Sequence, residues 1–143
     1  MKFDPDAIQY RVEVTVQPDA IDELDHVNNA VYLQYVELAA RSHAASVGLD
    51  FDGMVARGGV FVVRRHTITY FRSAREGDHL EIATCIGEMR AARALRHVWI
   101  LRGEELLAEA ETEWVWIDPE TRRPRAMPAE VIHAFDSPDT ALA

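Results

Sequence analysis

Polar and apolar residues alternate without a fault from residue 10 to residue 17: Tyr10, Val12, Val14 and Val16 face one way, and Arg11, Glu13, Thr15 and Gln17 the other. A period of two marks a half-buried strand. After a polar turn the period lengthens. From Asn29 to Val47, the residues Tyr32, Tyr35, Val36, Ala39, His43 and Val47 recur at helical spacing with no Gly or Pro between them. This predicts one long helix, closed by Gly48 as a left-handed C-cap. Its Ala39-Ala40 and Ala44-Ala45 pairs make it thin, so burial over most of its circumference against a curved sheet is expected.

Period two then returns and holds. A strand is predicted from Val60 to Phe71, apolar on both faces at its start, which suits a central place in a sheet. Gly77-Asp78 marks a turn before Leu80, Ile82, Thr84 and Ile86 alternate with Glu81, Ala83 and Cys85. A further strand runs from about Arg93 to Leu101, and Arg102-Gly103-Glu104 is a short hairpin connection. Beyond it Leu106, Ala108, Ala110, Thr112, Trp114 and Trp116 share one face against Glu109, Glu111 and Glu113, until Asp118-Pro119 stops the strand. One or two helical turns near Ala129 to Phe135 precede a small polar end expected to fray. A strand, a long helix and four consecutive strands favour an α+β fold, an antiparallel sheet with the helix on one face. The order of strands in the sheet does not follow from the pattern.

Composition narrows the class. At 143 residues with 48% hydrophobic content, one core is accommodated and a single domain spanning 1–143 is expected, its folded part about 8–135. The apolar runs fall far short of the ~20 residues that cross a bilayer, and the acidic N-terminus does not read as a signal peptide. A cytoplasmic protein that engages no membrane is expected. The single cysteine, Cys85, reads as core filler, and a net charge of −9 argues against a nucleic-acid partner.

Candidate chemistry concentrates just before the helix, in Asp22-Glu23-Leu24-Asp25-His26-Val27-Asn28-Asn29. A helix N-terminus presents unpaired N–H groups and the positive end of a dipole, suited to a carbonyl oxygen that gains negative charge. A carboxylate such as Asp22 beside it supplies a nucleophile, or a base that activates water. A purely structural reading accounts for the same residues, with Asn28 or Asn29 as N-cap, Asp22 and Asp25 stabilising the turn, and His26 hydrogen-bonded within it.

The pattern Asp22-x-x-x-His26-Val27-Asn28-Asn29-x-x-Tyr32 resembles the signature of the 4-hydroxybenzoyl-CoA thioesterase-like family. Tyr70 followed by Gly77-Asp78, and Val115 to Asp118 followed by Arg123-Pro124 and Met127-Pro128, are similar to later motifs of that family, so the resemblance covers about residues 10–135. It implies a hot-dog fold, in which a five-stranded antiparallel sheet wraps around one long central helix. It implies an acyl-CoA thioesterase that releases a carboxylic acid and coenzyme A, assembled as a homodimer at minimum and in many relatives a homotetramer, with active sites at the dimer interface. Asp22 would be general base or nucleophile, the backbone near Asn29 would polarise the thioester carbonyl, and His26 matches a position that assists in some relatives. Coenzyme A would be part of the substrate and no cofactor is implied. A hot-dog enoyl-thioester hydratase or dehydratase and a non-catalytic acyl-CoA-binding module are the alternatives.

The chain departs from the family pattern in three places. Asp25 stands where relatives have Gly or an uncharged polar residue, Ala20 where many have a further aspartate, and Ser73 where proline is common. A carboxylate at Asp25 would repel charge on Asp22 or pair with His26.

Substrate contacts are expected from Asn28 and Tyr32, and from Arg90 and Arg93 at a hairpin tip, where relatives hold the phosphates of coenzyme A. Guanidinium groups make bidentate bonds to phosphate, although a solvated turn explains the two arginines equally well. The six histidines are scattered without metal-ligand spacing, so no metal is expected. Ser42-His43 is rejected as part of a hydrolase triad, since adjacent helical residues point in different directions. Trp114 and Trp116 read as packing residues.

Overall fold

Two tight hairpins build the middle of the sheet. In the computed structural model, which describes residues 1–136, β3 (His79–Arg90), β4 (Arg93–Arg102) and β5 (Glu105–Ile117) form a meander. Gly103 at φ 61° makes the second turn at no steric cost. The outer positions fall to β1 (Tyr10–Thr15) and β2 (Val60–Tyr70), giving the antiparallel order β1-β3-β4-β5-β2. β2 is therefore an edge strand, not the central one expected. Its apolar start reflects two different neighbourhoods: Phe61 stacks edge-on against Trp116 at 5.0 Å, while Val62 points to the opposite face and is 38% exposed.

The helix α1 (Asn29–Ser46) lies across one face of this sheet. Tyr32, Val36 and Ala39 from α1 pack on Leu80, Ile82, Val98, Ile100, Leu107 and Ala110. Each large side chain buried this way is worth about 1.5–3 kcal/mol relative to exposure. The arrangement is the hot-dog fold that the resemblance implied. Within the single chain α1 buries one face only, through Tyr32, Val36, Ala39, Ala40, His43 and Ala44, so burial around most of its circumference does not occur. Gly48, at φ 81°, takes the left-handed conformation expected after the helix.

An irregularity between β4 and β5 shifts side chains between faces. Ile100 pairs with Ala108 but Leu101 with Leu106, so a bulge at Leu107 turns that residue into the helix-side core and leaves Leu106 on the far side. The other face of the sheet is covered by the N-terminal segment, where Ile8 and Phe3 meet Ala83, Cys85, Trp99 and Leu101. Cys85 is core filler there.

Two short helices complete the fold, of which only the first was not expected. In α2 (Phe51–Ala56), Asp50 caps the N-terminus by accepting from the Gly53 N–H at 2.8 Å. α3 (Ala129–Ala134) occupies the position predicted near the end, and its Val131 packs with Trp116 and Leu49. The expected fraying beyond it lies outside the described residues.

Candidate functional site

The segment 20–28 folds back on itself before α1 begins. Ile21 and Val27 bridge, the Asp22 N–H donates to the His26 carbonyl at 2.8 Å, and the Asn28 N–H donates to the Ala20 carbonyl at 2.8 Å. Asp22 closes the loop with its side chain, since Oδ1 accepts from the N–H groups of Leu24 at 2.9 Å and His26 at 3.3 Å. Oδ2 makes no hydrogen bond among the described residues. The carboxylate is thus oriented by two backbone donors while one oxygen is left for chemistry.

Asp25 has a conformational explanation. Its φ is 65°, the left-handed region, and its N–H donates to the Asp22 carbonyl at 3.2 Å. Short polar side chains tolerate that conformation almost as Gly does. No ion pair joins Asp25 to His26 among the described residues, and His26 makes no side-chain hydrogen bond there.

Asn28 is the N-cap of α1, its Oδ1 accepting from the Ala30 N–H at 2.9 Å. The next donor, the Asn29 N–H, has no acceptor among the described residues. It sits at the positive end of the helix.

A polar cavity of about 380 Å³ collects Asp22, His26, Asn28, Asn29 and Tyr32. Its opposite wall is the end of β2 and the segment after it: Tyr70, Phe71, Arg72 and Ser73. The Tyr70 hydroxyl donates to the Asn29 carbonyl at 3.3 Å. Tyr32 is buried, and its hydroxyl accepts from the Ala74 N–H at 2.9 Å. Burial holds its phenol above the usual value, so it stays neutral at physiological pH. Phe71 and Arg72 were not singled out beforehand. A loop following a strand carries no periodic signal, and only the placement of Tyr70 beside α1 brings them here.

Arg90 and Arg93 do not join this group within one chain. They lie at the far end of β3 and β4, against a separate cavity of about 300 Å³ with Glu88 and Leu95. The near end of β3, at His79, pairs with Thr15, so about 11 residues and roughly 35 Å of strand separate them from the Asp22 loop. Arg93 is also engaged, since its Nε donates to Glu113 Oε1 at 2.7 Å. Arg64 and Arg65 reach the same carboxylate at 3.8 and 3.4 Å. Arg93, with the other two arginines, holds the Glu113 carboxyl below the usual range. In contrast, Arg72 is a guanidinium that lines the Asp22 cavity within the same chain, paired with Glu105 at 3.3 Å.

No group of three or more potential metal ligands occurs among the described residues, and no helix there is long and apolar enough to cross a membrane.

The sequence model of the thioesterase-like superfamily matches residues 16–135. The acyl-CoA thioester hydrolase YbgC of Escherichia coli is 32% identical over 127 residues, which cover 88% of this chain and 95% of that protein. Among solved structures, the 1,4-dihydroxy-2-naphthoyl-CoA thioesterase Slr0204 from Synechocystis superposes with a TM-score of 0.80 at 25% identity, covering 88% of this chain and 94% of the other. A thioesterase from Thermus thermophilus, solved with coenzyme A and zinc, gives a TM-score of 0.80 at 25% identity over 91% and 99% of the two chains.

Proposed function

Since the chain belongs to the thioesterase-like superfamily, we propose that it hydrolyses an acyl-CoA thioester to a free carboxylic acid and coenzyme A at the cavity before α1. The observation that carries the reading is the meeting of the Asp22 carboxylate and the unbonded Asn29 N–H in one cavity. The thioester carbonyl oxygen accepts from the Asn29 N–H, where the helix dipole stabilises the charge that develops during attack. Asp22 then acts as nucleophile on the carbonyl carbon, or removes a proton from the attacking water. In the first case the C–S bond breaks as an anhydride with Asp22 forms, and water then cleaves that anhydride, releasing the acid, restoring the carboxylate and supplying the thiolate's proton. In the second, water adds to the carbonyl directly and the proton taken by Asp22 passes to the thiolate as the C–S bond breaks. Coenzyme A is part of the substrate, and no separate cofactor takes part. His26 assists from the rim, and Asn28 acts through the helix start it caps.

In this reading the 1–143 chain is one domain that works as a homodimer at minimum, with a tetramer as the larger form. The distance of Arg90 and Arg93 from Asp22 supports it, because these arginines can hold coenzyme A phosphates at that cavity only across an interface between copies. A soluble cytoplasmic location fits the same substrate.

Release of thiol from a panel of acyl-CoA esters tests the activity. Asp22→Asn and Asp22→Ala are expected to lower kcat/KM by about 100-fold or more, the range for loss of a catalytic acid–base group. Full activity in either variant removes Asp22 from its role. Hydration of 2-enoyl thioesters without thiol release, or tight acyl-CoA binding without turnover, would replace hydrolysis by another function on the same fold.

A further inference from the structure

A second and larger cavity, about 560 Å³, lies under the C-terminal half of α1 and outside the Asp22 site. Its walls are mostly apolar, with Ala40, Ala44, Phe61, Ile86, Trp114 and Phe135 among them. Two arginines line it: Arg41, exposed and paired with Glu37, and Arg96, which is buried. Arg96 on β4 is 4% exposed, and its Nη1 donates to His43 Nδ1 at 2.9 Å and to Thr84 Oγ1 at 3.0 Å. Its guanidinium carbon also lies 5.7 Å from the centre of the Phe135 ring.

Among the described residues no carboxylate pairs with Arg96, and neither Nε nor Nη2 makes a hydrogen bond. A buried charge without a counter-ion costs several kcal/mol, and a guanidinium has five N–H donors to satisfy. Burial lowers the Arg96 pKa to about 10, so the side chain is still charged at neutral pH. Its neighbour cannot share the charge, because burial and then Arg96 itself push His43 down to about 3. The cavity's own acids are occupied elsewhere: Glu37 pairs with Arg41 at 3.0 Å, and Asp50 caps α2. Trp114, on the same wall, has a buried indole N–H with no acceptor among the described residues.

We propose that this cavity binds a carboxylate carried on an apolar chain or ring, with the Arg96 guanidinium as its counter-ion. The free Nε and Nη2 edge matches the two oxygens of a carboxylate, and the volume falls in the ~300–1,000 Å³ range of small-molecule sites. Two sources supply this chemistry. One is a free fatty or aryl acid. The other, which rests on the thioesterase reading above, is the far end of an acyl group bearing a second carboxyl. Glu37, on the cavity rim, is eight residues beyond Asn29, which is about 12 Å along the helix axis.

Calorimetric titration with decanoate and decanol decides the binding. The full-length protein is expected to bind decanoate at least about tenfold more tightly than decanol, the lower range for a hydrogen bond to a charged group. Arg96→Met is expected to abolish that preference. Equal affinity for the two ligands in the unaltered protein, or an undiminished preference in Arg96→Met, overturns the proposal. If Arg96→Met does not fold, Ala45→Phe, at an exposed helix position lining the cavity, is expected to block decanoate, and unchanged binding overturns the proposal equally. Hydrolysis then separates the sources. A higher kcat/KM for the ten-carbon ω-carboxyacyl-CoA than for decanoyl-CoA, lost in Arg96→Met, assigns the site to the substrate; Arg96-dependent decanoate binding without that preference assigns it to the free acid. Absence of all thiol release refutes the hydrolase reading alone, because the titrations involve no turnover.

Discussion

The Tyr32 hydroxyl accepts a hydrogen bond from the Ala74 N–H at 2.9 Å, joining α1 to the segment that carries Phe71, Arg72 and Ser73. Ala74 is fully buried, so its amide has no water to turn to. Tyr32→Phe keeps the ring and removes the acceptor. It is expected to lower stability by about 1–3 kcal/mol, the cost of leaving a buried donor unsatisfied, measured by urea denaturation. An unchanged unfolding midpoint would mean that the hydroxyl does not hold this wall in place.

Asp25 supplies a test of backbone against charge. At φ 65° a β-branched side chain is disfavoured, and Asp25→Val is expected to cost about 1–2 kcal/mol. Asp25→Gly suits the conformation, and relief of strain offsets the added freedom of the unfolded chain, so stability changes by less than about 1 kcal/mol. Thiol release should persist in the glycine variant. Its loss there would show that the carboxylate, and not the turn, is what the site requires.

His43 makes the fold sensitive to acid. Burial, followed by the nearby Arg96 charge, lowers its pKa from 6.5 to about 3. Between those values the unfolded chain binds a proton that the folded chain refuses, so stability falls as pH drops from about 6.5 towards 3. The slope for one such group is at most about 1.4 kcal/mol per pH unit. His43→Gln leaves an acceptor facing Arg96 but nothing to protonate. Urea midpoints measured from pH 7 to pH 4 should therefore decline less steeply in the variant, and equal slopes would place the acid sensitivity in other groups.

The long elements were legible because their periods are strong. The helix expected over Asn29–Val47 runs over Asn29–Ser46, and the strand starting at Val60 ends at Tyr70, one residue short of the expectation. Long-range placement was not legible. An apolar run reads alike in a central strand and in an edge strand beside a helix, which is why β2 was misplaced. The bulge at Leu107 follows from pairing with β4, so alternation alone put Leu106 on the wrong face. At six residues, α2 is too short to show a period. Around the site, the loop from Asp22 to Asn29 could be found because it is local. Arg72 and Arg96 belong to cavities made by residues far apart in the chain, and neither stood out in the sequence.

The order of strands also sets a timetable for folding. The meander closes through near neighbours, Arg90 with Arg93 and Arg102 with Glu105, whereas Tyr10 must find Thr84 and Val60 must find Ile117. Contacts between residues close in sequence cost less loop entropy and form sooner. The Asp22 loop and α1 lie between the two late-joining strands, so they assemble on a sheet already half built. In refolding followed by pulsed hydrogen exchange, amides of β3, β4 and β5 should gain protection before those of Val27 and Asn28, which donate to Ala74 and Ala20. Simultaneous protection would contradict that sequence. The chain would otherwise acquire its Asp22 loop last, after the platform beneath it has formed.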